Sequence, residues 1–169
     1  MTYDNFTTKS QEAIMKGQQI AGGLDQQQVD TPHLIAGILQ TDEDVSKFLL
    51  QKMNVNILVL KKQLDDEVRK YPKVEGSEKQ FLTNDANKAL AAAKKMLPEF
   101  GDEYISLELM MLGILKGKDK GASILKDQGA TIDGLKAAIQ ELRKGKSVTD
   151  QSADGTYNSL KKFAVNLND

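Results

Sequence analysis

The sequence predicts an all-α protein: two tandem pseudo-repeats of about four helices each, forming one compact domain, followed by a linker and the start of a further helix. Three observations predict it. Shifting the chain along itself by 76 positions brings Thr7 onto Thr83, Ala13 onto Ala89, Ile20 onto Met96, Val29 onto Ile105 and Gly37-Ile38-Leu39 onto Gly113-Ile114-Leu115. After a slip of one residue, Leu50 meets Leu125, Ile57 meets Ile132 and Lys61 meets Lys136. Apolar residues recur at helical spacing in nearly every segment, and no alternation of period two lasts beyond a few residues.

The elements follow in order. Thr8 to Ala21 places Ala13, Ile14, Gly17 and Ile20 on one face, with Thr7 or Thr8 as the cap and Gly22-Gly23 as the stop. Asp30-Thr31-Pro32 opens a second helix through Leu34, Ile35, Ile38 and Leu39, because proline is tolerated in a first turn. A short helix over about 43–53 and a longer one with Ile57, Leu60, Leu64 and Val68 on one stripe complete the first repeat, about 6–71. Pro72 to Gln80 is polar, holds a proline and a glycine, and divides the halves.

The second repeat, about 82–144, restates the order. One helix runs from Asn84 to Leu97 and stops at Pro98. Another opens at Ser106 with Glu108 in its first turn, where a carboxylate favours the helix dipole. A short one covers Ala122 to Asp127, and the last carries Ile132, Leu135, Ile139 and Leu142. Residues 145–155 are polar and read as a flexible linker. From 156 to 169, Tyr157, Leu160, Phe163, Ala164 and Leu167 begin another amphipathic helix, which the chain leaves in mid-pattern. This is the pattern expected of a piece of a longer protein.

Composition narrows function. A net charge of −1 with mixed signs lacks the basic stripe that neutralises nucleic-acid phosphates. No cysteine is present, which removes disulfides, thiolate nucleophiles and zinc–sulfur sites. No apolar run approaches the ~20 residues of a membrane span, and the first residues lack the order of a signal peptide, so a cytoplasmic location is expected. The only histidine, His33, aligns with Leu109 and reads as a packing or surface residue rather than a catalytic one. Gly145-Lys146-Ser147 ends like a phosphate-binding loop, but the motif's first glycine is replaced by Gln140 inside a helix. Neither catalytic nor metal-ligating residues are assigned, and no cofactor is expected in this fragment.

Binding surfaces are easier to place. Asp102 and Glu108 lie at the entry to the helix opened by Ser106, near the seam between repeats. They read either as capping carboxylates or as the polar rim of a groove. The run from Leu107 to Leu115 is apolar almost all round, and much of Ala86 to Leu97 is too. Leu90, Met96, Leu97 and Leu109 to Leu112 therefore read as core, with part of the set available to form an exposed, methionine-containing groove.

Thr31-Pro32-His33-Leu34-Ile35-Ala36-Gly37-Ile38-Leu39 and Gly101-Asp102-Glu103-Tyr104-Ile105-Ser106-Leu107-Glu108-Leu109 resemble the two signatures of the Clp N-terminal repeat domain of bacterial AAA+ unfoldases. Lys73-Val74-Glu75-Gly76 and the tail from Tyr157 to Leu167 are similar to the ClpB branch. The resemblance implies a parent that is a homohexameric, ATP- and magnesium-dependent disaggregase working with a DnaK-type chaperone system. This module would then capture unfolded or aggregated polypeptides, and in isolation is expected to be a monomer. The family's client-binding positions carry over to Thr7, Asp102 and Glu108, with Leu90, Met96 and Leu109 as groove positions. The alternative is an adaptor-docking regulatory domain like that of the ClpC branch, which reads phosphorylated arginine through one glutamate per repeat. Here Glu108 is matched in the first repeat by Pro32, which counts against that alternative.

Overall fold

The computed structural model describes residues 3–76 and 79–153. Among them are nine helices: α1 (Thr8–Gly23), α2 (Thr31–Thr41), α3 (Glu43–Lys52), α4 (Ile57–Val68), α5 (Asn84–Lys95), α6 (Leu97–Phe100), α7 (Leu107–Leu115), α8 (Lys120–Asp127) and α9 (Ile132–Arg143). The helix expected over 156–169 lies outside the described residues.

Hydroxyl and carboxylate caps start most helices. Thr7, Thr83, Ser106 and Thr131 accept from the backbone N–H three residues on, at 3.0–3.2 Å. The segment expected as one helix to Leu97 is two. α5 ends with Met96 as its cap, and Pro98 stands in the first turn of α6, where its missing N–H costs no hydrogen bond. Proline here starts a helix rather than stopping one.

The repeat is visible in the packing. α1 lies against α2 as α5 lies against α7, and α2 and α7 each touch at least six other helices. A helix surrounded on all sides has no solvent face, so all nine residues of α7 are buried. The exposed groove anticipated from α5 and α7 is therefore absent: Leu90, Met96 and Leu109 to Leu112 are buried, and only Leu97 is partly exposed. Within each pair, backbone meets backbone at a glycine. A Cβ on Gly37 would lie 2.3 Å from the Ala13 carbonyl oxygen, and one on its repeat partner Gly113 would lie 2.4 Å from that of Ala89.

Short parallel pairings, not anticipated from the sequence, lock the repeats together. β1 (Gln28–Val29) pairs with β2 (Phe81–Leu82), bringing Val29 opposite Leu82. The symmetric exchange pairs Phe6 with Ile105. Each repeat thus lends the residue before its first helix to the other. Thr83 N–H donates to Val29 O and Thr7 N–H to Ile105 O, both at 3.0 Å.

Candidate functional site

The seam between the segment before α1 and the loop before α7 is where the carried-over polar residues meet. Thr7 caps α1 and is fully buried. Its hydroxyl donates to Ser10 Oγ at 2.9 Å, and Ser10 Oγ donates to Ile105 O at 2.9 Å. Asp102 follows Gly101, whose φ of 65° turns the chain after α6 in the left-handed region that glycine enters freely. Glu108 stands in the first turn of α7.

Arg143, the last residue of α9, joins these groups from below. Its Nη1 donates to Asp102 Oδ1 at 2.8 Å, its Nε to Glu108 Oε2 at 3.0 Å and its Nη2 to Ser106 Oγ at 2.9 Å. The guanidinium carbon lies 5.4 Å from the Phe100 ring centroid. All three charged side chains are at most 1% exposed. Two carboxylates thus share one guanidinium away from water. Burial pushes the Asp102 carboxyl above its usual range, partly offset by the Val148 amide and by Arg143.

The chain then returns across this cluster. Lys144 and Gly145 take φ values of 51° and 84°, reversing direction after α9. Residues 146–151 run over the seam. Val148 is fully buried; its N–H donates to Asp102 Oδ1 at 2.9 Å and its carbonyl accepts from Glu103 N–H at 2.7 Å. Ser147 Oγ donates to Phe100 O at 2.9 Å. Gln151 O accepts from Thr8 N–H at 2.9 Å, and its side-chain amide donates to Asp4 O at 3.0 Å. The stretch expected as flexible linker is, over its described part, seated on the body. Its polarity hid one aliphatic residue with a buried seat.

The first repeat builds the same place differently. Gln26, the counterpart of Asp102, donates through Nε2 to Val68 O at 2.6 Å, and Val68 is the counterpart of Arg143. Gln26 Oε1 faces His33 Nε2 at 2.8 Å, and Asp30 N–H donates to His33 Nδ1 at 3.0 Å. Desolvation lowers the His33 pKa to about 4 despite the Asp30 charge, so at neutral pH the ring is neutral. This half is a core network around one neutral histidine and the amide of Gln26, bordered by the Asp30 carboxylate. Lys73 pairs with Gln26 where Val148 meets Asp102.

Two further features were not foreseen. Carboxylate oxygens of Asp30, Asp85 and Asp119 lie within 4.8 Å of one another. Each carboxylate stands at a helix N-terminus: Asp30 and Asp119 are the residues preceding α2 and α8, and Asp85 is in the first turn of α5. Asp30 also accepts from Tyr71 Oη and from Thr83 Oγ1 at 2.6 Å, and Asp119 accepts from Thr31 Oγ1. Helix dipoles and hydroxyls account for this cluster without a cation. On the first repeat, away from the carried-over residues, a cleft of about 510 Å³ has an apolar floor that includes Ile20, Leu24, Leu39 and Leu64, with Lys61 and Arg69 at its rim. No helix among the described residues is long and apolar enough to cross a membrane.

Comparison with known proteins agrees with this architecture. Residues 5–128 match the Clp repeat (R) N-terminal domain family. The chaperone protein ClpB of Bacteroides thetaiotaomicron is 38% identical over 169 residues, covering all of this chain and 20% of the relative. ClpB of Porphyromonas gingivalis is 38% identical over 167 residues, covering 99% and 19%. The chain thus spans about a fifth of the length of the curated relatives it matches. Among solved structures, the Hsp104 N-terminal domain from Candida albicans superposes with a TM-score of 0.77 at 19% identity, covering 89% of this chain and 99% of that one. The N-terminal domain of ClpD from Arabidopsis thaliana gives 0.61 at 23% identity, covering 82% and 94%. Sequence, repeat architecture and superposition agree, and the chain belongs to the Clp repeat (R) N-terminal domain family.

Proposed function

We propose that this domain captures unfolded or aggregated polypeptides for an ATP-driven, homohexameric AAA+ ring that threads them, in the cytoplasm and alongside a DnaK-type chaperone system. In this reading the fragment is a non-catalytic monomer, and ATP and magnesium belong to modules outside the chain. Family membership and the ClpB relatives support it.

One observation on this chain carries it furthest. The seam holds an extended segment through the backbone N–H groups of Thr8 and Glu103, with one aliphatic side chain inserted between. Such a grip uses groups that every polypeptide possesses, so it suits a receptor for chains of varied sequence. Asp102 bonds the held segment and Thr7 stands between two residues that do, with Glu108 reached through Arg143; in this reading Leu90, Met96 and Leu109, all buried in the core, supply the apolar body.

Titrating the chain with a fluorescent, permanently unfolded protein, and in parallel with its folded form, tests this. Saturable binding of the unfolded form alone is expected. Binding of folded proteins alone would favour an adaptor-docking domain instead, with the first-repeat cleft as its seat. A steady rate of ATP turnover by the fragment would contradict the non-catalytic assignment.

A further inference from the structure

We propose that the seam is a ligand site already filled by the chain itself: residues 147–151 are a built-in competitor, and a client segment and this strap occupy the seam in turn. The inference rests on the client-capture reading and adds its regulation.

The geometry requires a choice between the two occupants. Thr7 and Asp102 are buried, and the strap bonds Asp102 itself and both neighbours of Thr7, Phe6 and Thr8. Val148 N–H is bonded to the Asp102 carboxylate, and Gln151 O is bonded to the amide of Thr8, the residue beside Thr7. A client reaching either residue therefore displaces the strap. Displacement is feasible because the hold is slight. Val148 is the only aliphatic residue between Lys144 and Ser152, and the remaining grip is the few hydrogen bonds given above. Each of the backbone bonds can be replaced by an incoming chain, while ordering a polar stretch opposes docking.

The same contacts define the ligand. It is an extended segment with a small aliphatic side chain at the Val148 seat and an N–H aimed at the Asp102 carboxylate. The seat has two carboxylates to one guanidinium, so basic residues flanking that side chain are favoured over acidic ones. On its N-terminal side the strap fits this description, with Lys144 and Lys146 preceding Val148, while Asp150 follows it.

A reversible lock tests the proposal. The chain has no cysteine, and a Cβ on Gly101 would lie 3.9 Å from Ser147 Cβ, close to the ~3.8 Å of disulfides. The double variant Gly101→Cys, Ser147→Cys is compared oxidised and reduced. Circular dichroism checks both forms, because cysteine at the positive φ of position 101 is strained. The probe is reduced, carboxamidomethylated lysozyme. Oxidation is expected to weaken its binding by about tenfold or more, and reduction to restore it. Val148→Ser, which loosens the strap without locking it, is expected to bind about threefold to tenfold tighter than the parent, as the open fraction rises. Its Thr8 and Glu103 amides should exchange faster. Equal binding by the oxidised and reduced forms would overturn the competitor proposal and leave client capture standing. No binding by any form, the parent and Val148→Ser included, would overturn client capture and this proposal together.

Discussion

Arg143 is held by Asp102, Glu108 and Ser106 with almost no exposure. Removing it strands two carboxylates in the interior. Arg143→Ala is expected to cost about 3–5 kcal/mol, a fall in Tm on the order of 10 °C for a chain of this size, read by thermal unfolding. Asp102→Ala leaves Arg143 paired with Glu108, so a smaller fall is expected. Its effect on client binding is interpretable only beside that stability measurement. His33 makes a pH prediction. Its folded pKa of about 4 lies below the ordinary 6.5, so the unfolded chain binds the extra proton first. The neutral form's advantage is complete above about pH 6.5 and is lost as pH falls toward 4, by roughly 3 kcal/mol in all. As the only histidine, it gives one imidazole NMR signal. A midpoint near 4 is expected, and one near 6.5 would contradict the buried geometry. From its alignment with Leu109, His33 was read as a packing or surface residue, and the structure buries it. The Arg143 role was not, because an arginine in the last turn of a helix ordinarily serves the dipole at the surface. The available signal was its alignment with Val68, an arginine standing where the other repeat has a core aliphatic.

At the scale of elements, helix positions were readable because caps and apolar stripes are local signals. Thr7 and Ser106 begin helices as anticipated, and Gly129, at φ 105°, follows the end of α8. The β1–β2 pairing was not readable: two residues carry no periodicity, and the pairing depends on how the repeats exchange segments. The strap was missed for a related reason. One valine among polar residues is a weak signal, and its seat exists only after α6, α7 and α9 are assembled. Close helix contact at the paired glycines yields a symmetric prediction. Gly37→Ala and Gly113→Ala each place a methyl within 2.4 Å of a helix carbonyl oxygen. Each is expected to destabilise by about 1–3 kcal/mol through overpacking, measurable as a lower denaturant midpoint. An unchanged midpoint in either would mean that the helix pair separates at no cost.

Across the whole molecule, repetition and its breaking explain where function sits. The exchanged pairings Val29–Leu82 and Phe6–Ile105 give the two halves one shared frame. Upon that frame the first repeat places an uncharged Gln26–His33 network, and the second places Asp102, Glu108 and Arg143 under a seated segment. The two copies thus diverge most where the proposed binding seam lies. The fold class and the seam were visible in the self-alignment. The burial of all six carried-over residues was not, since an amphipathic pattern does not say how many neighbours will cover a helix. The central claim is that unfolded chains bind at this seam by replacing the strap. The most direct measurement is an amide NMR titration of the intact chain with a permanently unfolded polypeptide. Concerted shifts are expected at Thr8, Asp102, Glu103, Val148 and Gln151, with Val148 and Gln151 moving toward values of an unattached chain. Binding that leaves those five signals in place would contradict the claim.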